Sequence, residues 1–380
     1  MARSKTRSQP SIEIVDAAAL GAEPEAWDDL MARAIEPHPH FSRHVIEAHA
    51  RAGLLREDIA FVAVRNGGRL DALLPFRNGL DITGLGRLVA QPALSPFMPS
   101  SAPLVAAERL PETLTALVDG LAEASRGRAW RWPLLTISGT VGRGLLDAMR
   151  ETGWAIGTVV EFERPVLDLR PSHDAFLKDH PNKSRLKDLR RRQRRMAEAG
   201  QLDLVSATEG EALTTALEDF LALELAGWKG EAGTALACRP KTLALAHALF
   251  ADRPGPVGVR ADTLSLDGRP LAVSLALVAG GTANLLKTAY DERERALAPG
   301  LVLEAEIVRA FHETPFAQRL DSATLAGSAL ESLYRERETV AEIVAVPPGG
   351  DARLSVERRV SLARFEHRAR AEAKRLLKRG

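Results

Sequence analysis

Between Leu264 and Tyr290 three stretches alternate apolar and polar residues: Leu264 to Leu266, Leu271 to Val278 and Ala283 to Tyr290. The links between them are the pairs Asp267-Gly268 and Gly280-Gly281. Two-residue links of this composition supply the positive φ angles that a tight hairpin needs, so three consecutive antiparallel strands are expected here. The third strand runs into a loop, Asp291 to Pro299, and Gly300 then opens an apolar-periodic helix, Leu301 to His312. A further strand, Ala317 to Asp321, and a helix, Ala329 to Arg337, are expected after it. Upstream, a long helix from Ser172 to Glu198 stopped by Gly200, a strand at Leu202 to Val205 and a helix from Glu211 to Ala226 complete an α/β module.

The first half repeats this order in weaker form. Helices are expected at Trp27 to Ala34 and Ser42 to Ala50, and a hairpin at Ile59 to Val64 and Arg69 to Phe76 around Asn66-Gly67-Gly68. A Pro- and Ser-rich connection, Gln91 to Pro103, leads to a helix, Pro111 to Ser125, a strand, Trp132 to Ile137, and a helix, Arg143 to Thr152. Hairpin, helix, strand and helix in both halves suggest a divergent internal duplication. The expected organisation is a disordered basic N-terminus over 1–10, an N-terminal degenerate module over 11–165, a catalytic module over 166–346 and a basic helical tail over 347–380. Each module is read as a mixed, mostly antiparallel sheet flanked by helices, α/β (α+β) in class.

Composition narrows the chemistry. The 380 residues carry 51 Lys and Arg against 50 Asp and Glu, so no whole-molecule field points to nucleic acid or a membrane. One cysteine, Cys238, excludes an internal disulfide and any site built on several thiolates, and the histidines show no metal spacing. No signal-peptide core follows the basic first residues and no run approaches a membrane span, so a cytoplasmic protein without a metal is expected. Basic charge is instead local. Lys183 to Arg195 holds eight cations and one acid, Asp188, and reads either as a solvated helix face or as a contact for a phosphate-rich donor or nucleic acid. From Arg353 to Gly380 there are ten basic and three acidic residues, with an uneven apolar stripe of Val356, Val360, Phe365, Ala369, Leu376 and Leu377 that suits docking as a helix.

The strand, loop and Pro-Gly helix start make an anion site possible, because the first turn of a helix presents unpaired N–H groups and partial positive charge. Gly300 allows close approach, with Arg293 and Arg295 just upstream as phosphate partners. A plain turn glycine opening a core helix is the alternative.

Four stretches carry a resemblance: LELAGWKGEAGTAL (Leu223 to Leu236), LLKTAYDERERALAPGLVLEAEI (Leu285 to Ile307), RLDSATLAGSALESLYRER (Arg319 to Arg337) and KSRLKDLRRRQRRMAEAG (Lys183 to Gly200). In this order they resemble the FemAB-like or CelD-like branch of the GNAT acyltransferases, over roughly Pro171 to Val346. The usual Q/R-x-x-G-x-G/A signature is absent, and only Arg295 and Gly300 echo it, with different spacing. The resemblance implies a sheet whose central strands splay to admit the arm of acetyl-CoA or another acyl-CoA, with its pyrophosphate near Pro299, Gly300 and Leu301. It implies direct attack by a primary amine on the thioester, the acceptor being a small molecule or a glycan. Relatives of FemA type use an aminoacyl-tRNA donor on the same fold, and a non-catalytic scaffold binding RNA or polysaccharide machinery is a third possibility.

The candidate residues each keep an ordinary alternative. Lys287 is a phosphate or substrate ligand, or a solvated strand lysine. Tyr290 and Asp291 hold the carbonyl and receive the amine proton, or are a core aromatic and a turn aspartate. Glu304, one turn into the helix, is a general base with a raised pKa if partly buried, or a solvated position. Asp321 and Ser322 end a strand across the cleft, or cap the next helix. Trp228 and Lys229 form an acceptor wall or a helix-stop loop, and Tyr334 and Arg337 complete the substrate side or pack. Oligomeric state is not readable from these residues.

Overall fold

The computed structural model describes residues 9–251, 254–324 and 327–377. Eight of the ten residues expected to be disordered at the N-terminus lie outside them. The chain forms two compact units, one of Met1–Arg43, Arg56–Phe162 and Glu338–Gly380, the other of His44–Leu55 and Glu163–Arg337. The boundary expected at 165 lies inside the strand Ala155–Asp168, and the basic tail belongs to the first unit. Both units are mixed α/β, with mostly antiparallel sheets flanked by helices.

In the first unit β1 (Ser11–Asp16), β2 (Ala60–Asn66), β3 (Arg69–Asp81) and β4 (Arg87–Pro92) pair antiparallel in chain order. A two-residue strand, β5 (Leu104–Val105), lies on β3 at Ala72 and Leu73. β6 (Trp130–Thr136) meets β4 in parallel at Ala90, after the crossover helix Leu110–Ser125, and pairs antiparallel with the last strand of the chain through Val340 to Ala345. The apolar period of the crossover helix buries Leu114, Leu117, Val118 and Leu121. Its Gly120 lies so close to the sheet that a Cβ there would come within 2.6 Å of Val62. The tail is a helix, Val356–Leu377, whose Val356, Val360 and Ala363 join a cluster with Val159 and Val344. Of the rest of the expected stripe, Phe365, Ala369 and Leu376 are exposed, and the Leu377 side chain lies outside the described residues.

The second unit takes up the chain within β7 (Ala155–Asp168) and contains β8 (Leu202–Ala207), β9 (Val257–Leu266), β10 (Arg269–Ala279), β11 (Thr282–Tyr290) and β12 (Arg319–Asp321). β8 to β11 pair antiparallel in order, β12 lies parallel to β11, and β7 lies antiparallel to β12. The Asp267-Gly268 turn takes φ of 50° and 75°, and the Gly280-Gly281 turn 51° and 80°, as a primed hairpin requires. The crossover helix Pro299–Glu313 buries Val302, Leu303, Ile307, Val308 and Phe311 against the sheet. At ~25 cal/mol per Å² of apolar surface, burying each of these larger side chains contributes about 1.5–3 kcal/mol.

Two of the expected helices take another form. The helix expected over Ser172 to Glu198 is two, His173–Asp179 and Lys183–Ala199, because Pro181 restricts its predecessor and lacks an N–H. The helix expected from Ala329 to Arg337 is a single 3₁₀ turn, Ala329–Ser332, after which β13 (Glu336–Val346) begins. The run from Val340 to Val346 is buried on both faces, and burial of that kind shows no alternation in sequence. β1, β4 and β7 were also not expected.

Candidate functional site

The site arises where β12 stops. β11 pairs with β12 at Thr282, Ala283 and Asn284, so among the described residues the remaining edge of β11, Leu285 to Tyr290, has no strand beside it on that side. A cavity of about 420 Å³ opens there, lined by Leu285 to Thr288 and Tyr290 on the strand, by Arg295, Ala298, Gly300, Leu301 and Glu304, and by Ser322 to Thr324 and Ser328 to Leu330. The corner from Tyr290 to Gly300 is thus open to a ligand.

A bulge decides which side chains reach it. Leu275 pairs with Lys287 but Ala276 with Leu285, so Leu286 is an extra residue in β11. Ala283 and Leu285 pack with the Pro299–Glu313 helix, and past the bulge Thr288 and Tyr290 take that face. Lys287 is thereby turned the other way. Its ammonium lies 2.6 Å from Glu224, a buried carboxylate that also holds Lys229 at 3.1 Å and accepts from the Leu236 amide at 2.7 Å. Burial works against ionisation of Glu224, but the Leu236 amide, Lys287 and Lys229 outweigh it and hold its pKa below the usual value. Burial lowers the pKa of Lys287, against the pull of Glu224. Lys287 lines the cavity, yet its charge is committed to a carboxylate, not left for a phosphate.

Glu304 sits on the cavity wall and is 3% exposed. Its Oε1 accepts from Ser274 and Thr288, each at 3.1 Å, and the Tyr334 hydroxyl stands 3.5 Å from Oε2. Burial, which these hydroxyls only partly offset, pushes its pKa up to about 7. Such a group exchanges a proton near neutral pH. Burial, and then the carboxylates of Glu304 and Asp321, push Tyr334 well above the ordinary phenol value, so its O–H stays protonated.

Asp291 is the opposite kind of carboxylate. Arg293 at 2.8 Å and Arg269 at 2.5 Å clamp it, and the Arg293 hydrogen bond is the largest cause holding its pKa at about 2 despite burial. It caps the 3₁₀ turn Glu292–Leu297 and does not line the cavity. With both arginines on its oxygens it braces the loop; a proton acceptor of that affinity is poor at neutral pH. Arg293, expected at a phosphate, is used in the same clamp.

The helix start is more closed than four free amides would make it. Ala298 adopts φ 52° and ψ 56°, and its carbonyl accepts from Leu301 at 3.0 Å and from Val302 at 3.1 Å. Pro299 has no N–H, which leaves the Gly300 amide as the first-turn donor. A Cβ on Gly300 would lie 3.3 Å from the Tyr290 ring, so glycine lets strand and helix approach at this corner. Arg295, on the cavity wall and exposed, has no ion-pair partner among the described residues.

The other candidates divide. Ser322 lines the cavity, buried, with its hydroxyl 2.9 Å from that of Thr324. Asp321 lies behind it, accepting from the Ala323 amide at 2.7 Å, 3.9 Å from the buried Arg164. Trp228 is 55% exposed and opens the short helix Trp228–Glu231, its amide bonded to Glu292; neither it nor Lys229 lines the cavity. Arg337 bonds the carbonyls of Glu331, Tyr334 and Glu336. Sequence reasoning missed Glu224 and Ser274. The signal for Ser274 was a lone hydroxyl amid the apolar run Leu271 to Val278; Glu224 looked like any helical glutamate.

Among the described residues no group of three or more His, Cys, Asp and Glu is placed to hold a metal ion, and no helix is long and apolar enough to cross a membrane. Residues 183–325, less than half of the chain, match the family model of the acetyltransferase (GNAT) domain. No curated protein matches the chain in sequence. Among solved structures, the chain is similar to FemX, with 11% identity and TM-score 0.53 over 85% of this chain and 96% of that one. It is similar to the C-terminal domain of a lysylphosphatidylglycerol synthetase from Agrobacterium fabrum, with 13% identity and TM-score 0.51 over 91% and 96%. A conserved protein of unknown function from Bacteroides thetaiotaomicron gives 12% identity and TM-score 0.53 over 88% and 100%. At such identities the likeness concerns the fold. In sequence, residues 183–325 within the second unit are thus similar to the acetyltransferase (GNAT) domain, and in fold the chain is similar to FemX and to that synthetase domain.

Proposed function

We propose that the second unit is an N-acyltransferase of the FemAB-like or CelD-like branch, moving an acetyl or longer acyl group from an acyl-CoA to a primary amine. The observation that carries this reading is Glu304, a buried carboxylate with a pKa of about 7 on the wall of a cavity beside an unpaired strand edge. The thioester arm lies along the free edge of β11, where a backbone amide past Asn284 faces the carbonyl oxygen. The amine nitrogen attacks the thioester carbon, forming the C–N bond and a tetrahedral oxyanion. Collapse breaks the C–S bond and releases CoA thiolate, and the amine proton passes to Glu304, directly or through one water. Ser274 and Thr288 keep Glu304 aimed, and Arg295 with the Gly300 amide receives the diphosphate. No covalent enzyme intermediate is required. The acceptor class proposed is an amino sugar or another cell-envelope or polysaccharide precursor.

The test is release of free thiol from acetyl-CoA and longer acyl-CoAs across a panel of primary amines, alongside calorimetric titration of the same donors. A bound donor at 100 times its Kd stabilises the fold by about 2.7 kcal/mol. No heat and no thermal shift with any acyl-CoA would remove the reading. A second reading is favoured by Lys187, Arg190 and Arg195, exposed cations on one helix: transfer from an aminoacyl-tRNA. Salt-sensitive tRNA binding together with indifference to acyl-CoA would select it.

A further inference from the structure

The first unit carries a feature that acyl transfer does not use. β3 and β4 project beyond the sheet as a hairpin in which Leu80 pairs opposite Leu88, with Leu85 at the tip. All three are exposed, at 74%, 40% and 62%. Leu85 is held at φ 49°, ψ 54°, a left-handed conformation strained for a leucine, and this turns an apolar side chain to the outside. The tip is not loose: Arg359 of the tail helix, 1% exposed, donates to the Thr83 carbonyl at 2.7 Å, and the Asp81 carboxylate accepts from Thr83.

Beside the leucines lies a concave surface of about 900 Å³, lined by Leu80 and Leu88 together with Arg87, Arg126, Arg128 and Arg353. None of these four guanidinium groups has an ion-pair partner among the described residues. The acid on the same surface, Asp351, is taken by Arg359 at 3.2 Å. The patch therefore combines four guanidinium groups against the single carboxylate of Asp351 with protruding aliphatic side chains on a braced hairpin.

We propose that this hairpin and its arginine-lined hollow dock the first unit onto an anionic lipid bilayer, with Leu80, Leu85 and Leu88 entering the interface and the arginines meeting headgroup phosphates. Nucleic acid would match the charge but leaves three leucines idle; a bilayer uses both. Arginines near an anionic surface each strengthen partition by about fivefold, an effect that fades with salt.

The experiment is cosedimentation of the full chain with vesicles of phosphatidylcholine alone and of phosphatidylcholine with phosphatidylglycerol. Binding to the anionic vesicles only, weakened by salt, is expected. The variant L80S/L85S/L88S should lose about tenfold or more of this binding with an unchanged melting temperature, and R87E/R353E about 25-fold or more. Absence of binding, equal binding of the leucine variant, or displacement of the protein from vesicles by RNA would each overturn the proposal. So would a change in oligomeric state of the leucine variant, which would make the patch a contact between copies.

Discussion

The two units share one strand plan and differ at one place in it. Four antiparallel strands, a crossover helix, a parallel fifth strand and an antiparallel sixth occur as β1, β2, β3, β4, β6 and β13, and again as β8, β9, β10, β11, β12 and β7. Even the helix entries agree: Arg109 and Ala298 are both left-handed N-caps, each with a proline in the first turn that follows. In the second unit the gap beside the parallel strand is a cavity with a glutamate in it. In the first, the chain fills its own gap. Ala93, Ser95, Met98 and Ser101 are buried, the Ser101 amide bonds Leu134, and the Trp132 indole donates to the Ser101 carbonyl at 3.1 Å. The Leu110–Ser125 helix buries no charged residue, whereas its counterpart buries Glu304 and Glu306. A plugged splay supports stability, and an open one leaves a place for chemistry.

The largest expected effect separates the two helices. Glu304→Gln should lower kcat for acyl transfer by about 10²–10⁴ while leaving donor affinity within about twofold, and Thr115→Ala, on the first-unit helix, should change neither. Steady-state kinetics with calorimetry reads both, and unchanged kcat in E304Q would break the comparison. Next, Trp132→Ala should cost the first unit about 3–5 kcal/mol in denaturant unfolding, because it opens the plug and leaves the Ser101 carbonyl without its donor. The refolded variant should still turn over normally.

The pH dependence comes third. The pKa of Glu304 is raised in the folded state, so its contribution to stability is complete below the unfolded value of 4.5 and is lost as pH rises through about 7. The total is on the order of 3 kcal/mol. E304Q should flatten stability between pH 5 and 8, and the wild-type kcat should rise through an apparent pKa near 7. A kcat that is flat across that range would assign the proton to another group. The smallest effect belongs to Arg295→Ala, which should weaken donor binding by about fivefold to tenfold with kcat retained, and least in high salt.

Much of the second unit was legible in its residues. Asp267-Gly268 and Gly280-Gly281 announced the meander because few dipeptides adopt positive φ in succession, and Pro299-Gly300 announced the helix start. Glu304 was legible as a candidate because it falls one turn into a helix whose other face is apolar. Asp291 was equally visible and misleading, since Arg269, its second clamp, lies 22 residues away in the chain. The helix expected over Ala329 to Arg337 failed for a related reason. Short-range periodicity cannot register that Val340 to Val346 will be covered on both faces by distant segments.

By itself, then, the order of residues determined the local turns, the apolar faces and the short list of ionisable groups, all of which depend on neighbours a few positions apart. Tertiary structure alone decided which of those groups reached the cavity and how far burial or an ion pair moved their pKa. The extra residue Leu286 swings Lys287 to Glu224 and Thr288 to Glu304, and the early end of β12 leaves the edge of β11 open. Both depend on pairing register between strands, and burial, which moves Glu304 to about 7 and leaves Asp291 at about 2 under its arginines, follows from that register.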